Sequence, residues 1–234
     1  PEHCRNPEWL MPDPTAATTP AAEIRVDAIR AAIADARVLA LSGQVDAALA
    51  ALDEQQRAAE ALAIPALSAE LQFHRGDIQL EYGGDDDRKP GTERLWDALD
   101  LAEASGHDRL AVDIWNALGS HREADLDPAQ LGFWARRAIS AAERLGDRGL
   151  RRARAEQRLG SARYRQHRYD QAAAHQREAL ALAEANSPPP LDLADMLHDL
   201  ANTLDAQGHS DAARDHYERA LATARATLGD RHPR

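Results

Sequence analysis

Ten histidines, one cysteine and a dense run of arginines are the residues of this 234-residue chain with which chemistry could be done. His209 and His216 stand seven apart and could share a helix face, with Asp211 and Asp215 beside them. No accepted ligand spacing joins the four, so a solvated helix face is expected and no metal is assigned. Asp85–Asp87 would attract a cation, yet the alternating order and closing glutamate of a calcium loop are missing, and a solvated acidic loop is expected. Cys4 is alone, which excludes an internal disulfide or a cysteine-based zinc site. Its thiol is read as free, with a reactive thiol or a bond to a segment upstream of Pro1 as the other readings. No serine or threonine stands in a nucleophile-elbow context. With no glycine-rich phosphate loop, His-Arg-Asp loop or Asp-Phe-Gly motif either, no catalytic residue and no cofactor is expected.

The sharpest chemical feature is electrostatic. Arg148, Arg151, Arg152, Arg154, Arg158, Arg163, Arg165 and Arg168 face one acid in that window, Glu156. The window carries +7, so the rest of the chain carries -18 of the formal -11. Arginine forks match carboxylate and phosphate, so a basic stripe could receive an acidic peptide, a phosphorylated segment or nucleic acid. The competing reading is neutralisation by neighbouring acidic helices. Neutralised structural arginines rank first, an acidic or phosphorylated partner second, and nucleic acid last, because a net negative chain repels an extended polyanion.

The elements that must position these residues are helices. Of the 44% hydrophobic residues about half are alanine, 50 in number, and aromatics make up only 4%. Such a core relies on closely approaching helices, for which alanine has the highest propensity. Charged residues are 29% and mean hydropathy is -0.57, so the helices should be amphipathic. No run nears the roughly 20 apolar residues of a membrane span. Pro1–Pro20 lacks a cationic start followed by an apolar run, so no signal peptide is expected there and the segment reads as extended.

An internal period orders the helices. Leu118-Gly119, Leu159-Gly160 and Leu200-Ala201 are each 41 residues apart, and Ala138, Ala179 and Ala220 each follow by 19. Turns around His167 and Gly208 lie between, followed by Ala172 and Ala213; Ala36, Gly43 and Ala48 give an earlier copy, and a looser one has Gly76 and Ala98. Five helix pairs are predicted over repeats 21–62, 66–105, 108–145, 147–186 and 191–228, a repeat domain spanning 21–228. The helices run 21–42 with 46–62, 66–82 with 92–105, 108–123 with 128–145, 147–166 with 169–186, and 191–207 with 210–228. Gly83–Gly91 reads as a polar insertion. In the first helix Ile24, Ile29, Ile33, Val38 and Leu41 are taken as the apolar face. Trp96, Trp115 and Trp134 read as packing residues, and Trp9 as a cap on the first pair or a contact to an upstream segment.

The stretch Leu200–Leu221, with its small, small, Gly, Ala, Tyr, Ala order, resembles the tetratricopeptide repeat family. The 41-residue period and the ending Leu228-Gly229-Asp230-Arg231-His232-Pro233 resemble its kinesin-light-chain-type variant. The resemblance implies an all-α, right-handed superhelical solenoid whose concave face binds protein. Residues 229–234 would then open a further repeat, and the chain would be a segment of a longer protein, or would associate with itself through unsatisfied end repeats.

In that family the groove is lined from the first helix of each pair, at six and three residues before the small seam residue and one and four after it. Transferred to this sequence, these are Asp113, Asn116, Ser120 and Glu123; Arg154, Gln157, Ser161 and Tyr164; and Asp195, His198, Asn202 and Asp205. The looser second repeat adds Phe73 and Asp77. Asn202 is the foremost of these, since its amide both donates and accepts and so suits a peptide backbone.

Cys4–Leu10, Ile24–Arg30, Ala69–Gly76, Ala98–Ala104, His107–Trp115 and Phe133–Ala138, in that order, resemble the C-terminal region of myxobacterial-type protein serine/threonine kinases. That resemblance implies a sensory or scaffold region lying beyond a membrane segment, on the periplasmic side; without it, a cytoplasmic adaptor is the default.

Overall fold

The computed structural model describes residues 13–121 and 126–228. Cys4, Trp9, Glu123 and the terminal 229–234 therefore lie outside the described residues. Among the described residues the structure is all-helical, in two compact units that divide between His121 and Arg122. The first holds α1 (Pro20–Leu41), α2 (Val45–Leu62), α3 (Pro65–Tyr82), α4 (Arg88–Ala104) and α5 (Asp108–His121). The second holds α6 (Pro128–Arg144), α7 (Leu150–Arg165), α8 (Tyr169–Ala185), α9 (Pro190–Ala206) and α10 (Ser210–Leu228).

Helix starts follow local chemistry. Thr19 caps α1 by accepting the Ala22 amide, with Pro20 in the first turn. Asp127 caps α6 by accepting the amides of Ala129 and Gln130 at 2.7 and 3.0 Å, ahead of Pro128. Several first helices end in one cap. Gly43, His167 and Gly208 all take positive φ, and the next amide donates five residues back: Gln44 to Leu39, Arg168 to Arg163, His209 to Leu204.

Two boundaries depart from the sequence reading. Helix α4 begins at Arg88, because Asp85–Asp87 form a 3-10 turn whose Asp87 carboxylate accepts the Gly84 amide at 3.0 Å. Pro90 then falls in the first helical turn, where a missing N–H costs nothing. Helix α7 begins at Leu150 and not 147, since Asp147 closes α6 by donating its amide to the Ala142 carbonyl and then accepts the Gly149 amide.

The first helix also corrects the expected apolar face. Its buried residues are Val26, Ile29, Ile33, Ala36 and Ala40, in helical steps of three and four. Ile24, Val38 and Leu41 are at least 64% exposed. Steps of five, from Ile24 to Ile29 and Ile33 to Val38, cross from one helix face to another, so the sequence set mixed two faces. Of the tryptophans, Trp115 and Trp134 are buried, while Trp96 lies at the surface and meets Trp115 edge-on at 5.7 Å.

Close approach holds the pairs together. A Cβ built on Gly76 would stand 2.9 Å from the Gly91 carbonyl oxygen and 3.1 Å from Leu95 Cδ2, so α3 and α4 touch backbone to backbone. On Gly160 it would stand 2.6 Å from Gln176 Cγ on α8. The matching Ala98, Ala138, Ala172, Ala179, Ala201 and Ala213 are all buried. No helix among the described residues is long and apolar enough to cross a membrane.

Gly76→Ala should destabilise the chain by about 1–3 kcal/mol, because backbone and Leu95 block the new methyl and overpacking outweighs the gain in helix propensity. At Gly132 the same methyl would meet nothing closer than 3.5 Å. Gly132→Ala should therefore stabilise, by up to about 1 kcal/mol. Urea denaturation followed by circular dichroism checks both signs.

Candidate functional site

In each unit the odd-numbered helices pack on one another, α1 on α3 and α3 on α5 in the first, α7 on α9 in the second. In the first unit this layer is tied by a polar cluster. Arg30 on α1 donates to both oxygens of Glu70 on α3, at 3.1 and 3.0 Å, and to the Thr15 hydroxyl. His107, just before α5, reaches Glu70 Oε1 at 3.1 Å. Burial works to raise the Glu70 pKa, but the His107 and Arg30 contacts outweigh it and hold the carboxyl at about 2. One turn on, His74 lies against Phe73 with ring centroids 4.9 Å apart. Its Nδ1 is enclosed without a partner. Burial, with Arg37 nearby, pushes this imidazole down to about 4.

Of the sequence-derived groove residues here, Phe73 and Asn116 are buried, Asp77 and Asp113 half-buried and Ser120 exposed. The transferred spacing thus does not put all of them at the surface.

In the second unit α7 and α9 bring eight of the groove residues into one layer, joined by cross-links. Arg154 donates from Nε and Nη2 to Asp192 Oδ2, at 3.1 and 2.7 Å. The buried Gln157 donates to Asp199 Oδ2 at 2.8 Å. Ser161 is buried too, while Asp195, His198 and Asp205 are exposed and Tyr164 and Asn202 half-buried. Asn202 is held in place: Tyr217 on α10 donates its hydroxyl to the amide oxygen at 2.6 Å, and His198 Nδ1 is 3.4 Å from the amide nitrogen. The His198 and Tyr217 rings lie 5.6 Å apart. Burial, then Asp205 and Tyr164, raise the Tyr217 pKa, which keeps its hydroxyl a donor.

Sequence spacing missed Asp192, Asp199 and Tyr217. The aspartates fall off the transferred positions, and Tyr217 is on the second helix of its pair, where the repeat signature marks it only as packing. The residue 41 before it is Gln176, which is buried against the gap left by Gly160.

The arginine run does not form one stripe. Arg151, Arg154, Arg158 and Arg165 share one side of α7 by helical spacing, and Arg152 and Arg163 another. Some are neutralised: Arg154 by Asp192, and Arg152 by Glu143 at 3.6 Å and the buried Glu156 at 3.7 Å. His175 holds the other oxygen of Glu156 at 2.9 Å. Arg165 donates to the Leu126 carbonyl, Arg163 donates to Gln166, and Arg148 and Arg168 are exposed. Among the described residues no group of three His, Cys, Asp or Glu is placed to hold a metal ion.

These helix pairs define the class. Residues 193–234 match the family model of the tetratricopeptide repeat. Helical pairs of this type recur in solved structures similar to this chain. BtubC (BKLC) from P. vanneervenii superposes with a TM-score of 0.60 at 20% identity, over 91% of this chain and 94% of that one. A point variant of nearly identical TPR-like repeats of kinesin-light-chain type, from Podosopora anserina, gives 0.64 at 13% identity, over 86% and 97%. A Rap protein complexed with Competence and Sporulation Factor gives 0.57 at 18% identity, over 75% of this chain and 48% of that one. At these identities the likeness is one of fold: the chain has the all-α architecture of tetratricopeptide-type repeat proteins. No curated protein is similar enough to this chain to count as a relative.

The first-unit cluster makes stability depend on pH. His74 takes a proton near 6.5 when unfolded and only near 4 when folded, so between those values the unfolded chain binds more protons. Its contribution is complete above pH 6.5 and lost as pH falls to 4, a loss of about 2–3 kcal/mol. Glu70, lowered from 4.5 to about 2, continues the loss below pH 4.5. His74→Gln should flatten the dependence between pH 6.5 and 4.5, as read from urea midpoints across that range.

Proposed function

We propose that this chain is a protein-binding scaffold that holds a peptide or a partner segment against the α7–α9 layer, with Asn202 gripping the backbone of its guest. The observation that carries this reading is the fixed amide of Asn202. With its oxygen committed to Tyr217 at 2.6 Å and one N–H directed at His198 Nδ1, 3.4 Å away, the amide has a set direction, and its second N–H remains to meet a guest carbonyl. Tyr164, His198 and Asp205 around it supply rings and charge for side chains of the guest. The likeness in fold to a Rap protein solved with Competence and Sporulation Factor supports a peptide as guest. The proposed work is binding, and the comparisons point to no enzyme family.

A displayed library of random peptides, panned on the purified chain, tests this. Selected peptides should bind Asn202→Ala at least about tenfold more weakly, the loss of one well-placed amide contact, with unchanged helical circular dichroism. Tyr217→Phe, which frees the amide to rotate, should weaken the same peptides less. Selected peptides indifferent to Asn202→Ala would overturn the site.

The finer reading makes this array the non-catalytic interaction region of a bacterial serine/threonine kinase, and it rests on the sequence segments from Cys4 to Ala138 named above. The second reading is a free-standing or self-assembling adaptor, favoured by the exposed side of α1 bearing Ile24, Val38 and Leu41. The native polypeptide, recovered with an antibody to this chain, separates them. A large, membrane-associated protein that labels itself from ATP is expected; an inert protein near 25.6 kDa leaves the adaptor.

A further inference from the structure

Three arginines of the second unit stand near one another with no ion pair to an acid among the described residues. Arg136 lies midway along α6, Arg163 in the last turn of α7, and Arg168 just beyond it, its amide donating to the Arg163 carbonyl at 2.9 Å. The Arg136 side chain folds back along α6 toward Gly132, on the face that meets α7. A Cβ there would be 3.6 Å from Arg136 Nη1 and 3.5 Å from the Cβ of Ala162, the residue before Arg163. Arg136 Nη1 and the Cβ of Ala162 on α7 thus flank the same position, Gly132.

No carboxylate stands three or four positions from Arg136 or Arg163 along their helices. Asp170, the acid nearest Arg168 in sequence, accepts from Gln207 Nε2 at 2.6 Å. Arg163 donates one hydrogen bond, from Nη1 to the neutral Gln166 at 2.9 Å, and its Nε is enclosed with no partner. Burial lowers the Arg163 pKa, and the two charges that act on it, Arg136 and Arg168, lower it further. Arg152 and Arg154 on the same helix have found acids, in a chain with acids to spare. Keeping three like charges together costs free energy that an arriving anion would return. The cluster is open: Arg136 and Arg168 are exposed, and Phe133, half exposed, stands one turn before Arg136.

We propose that Arg136, Arg163 and Arg168 form a receptor for the phosphate group of a phosphorylated side chain on a protein partner. A phosphomonoester near -2 offers three strong acceptor oxygens, enough for a fork from each arginine, where one carboxylate offers two oxygens and a single charge. A row of phosphates fits less well, because beyond the cluster the chain is strongly acidic and screening protects only short-range contacts. The site uses α6 and the end of α7, so it does not depend on the Asn202 layer being correct.

The test is fluorescence anisotropy of the whole chain with two fluorescein-labelled degenerate pentapeptide libraries, centred on phosphoserine or on serine. The phosphoserine library should bind and the serine library should not. Arg136→Ala and Arg168→Ala, both at exposed positions, should each weaken binding about tenfold with unchanged circular dichroism. Arg148→Ala, outside the cluster, should leave it unchanged. Equal binding of the two libraries, or phosphate-dependent binding indifferent to both cluster variants, would sink the proposal. So would tighter binding of a single-stranded oligonucleotide that the same variants abolish, which would make the cluster a nucleic-acid contact.

Discussion

Everything in this chain rests on how near its helices come to one another. A core with so few aromatics and so much alanine buries little area per side chain, so it must gain its cohesion from the density of contacts between backbones. The approach of Gly76 to Gly91, and of Gly160 to Gln176, sets that density, and the buried alanines at matching positions extend it. Leucine, isoleucine and methionine fill the remaining volume: Ile29, Leu52, Leu67 and Leu71 in the first unit, Met196, Leu197 and Leu200 in the second.

Once the helices are that close, polar side chains of the odd-numbered layer cannot avoid one another. Arg30 with Glu70 and His107, Arg154 with Asp192, and Gln157 with Asp199 are the result. Buried or half-buried polar groups are costly alone, so these residues serve first as ties between neighbouring helices. A guest on this layer would gain little from Gln157 or Arg154 unless it displaced an existing partner. Asn202 differs, because Tyr217 takes only the amide oxygen and His198 Nδ1, 3.4 Å from the nitrogen, takes at most one of its two N–H groups. The same logic separates the arginines. Arg152 and Arg154 are spent on internal acids, whereas the charges that act on Arg163 are those of Arg136 and Arg168.

Much of the architecture was legible in the residues. The 41-residue spacing, the seam glycines and alanines, and caps such as Asp127-Pro128 are local signals, each acting over a few residues, and each identifies a helix, a turn or a close contact directly. Asn202 was a candidate by another route, since the resemblance to the repeat family implies a groove position one residue after the seam. Local pattern went astray where two answers satisfy it. Both sides of α1 carry apolar residues, and only the presence of α2 and α3 against one of them decides that Val26 is inside and Val38 outside.

The sequence by itself determined the helical class, the repeat and the positions of close approach, because propensity, capping and periodicity are properties of neighbouring residues along one chain. Only the tertiary structure decided which charges are satisfied. Arg154 meets Asp192 across 38 residues, and Tyr217 reaches back 15 to Asn202. Pairing between side chains on different helices depends on the rotation and offset of whole helices, which a count along the sequence does not contain.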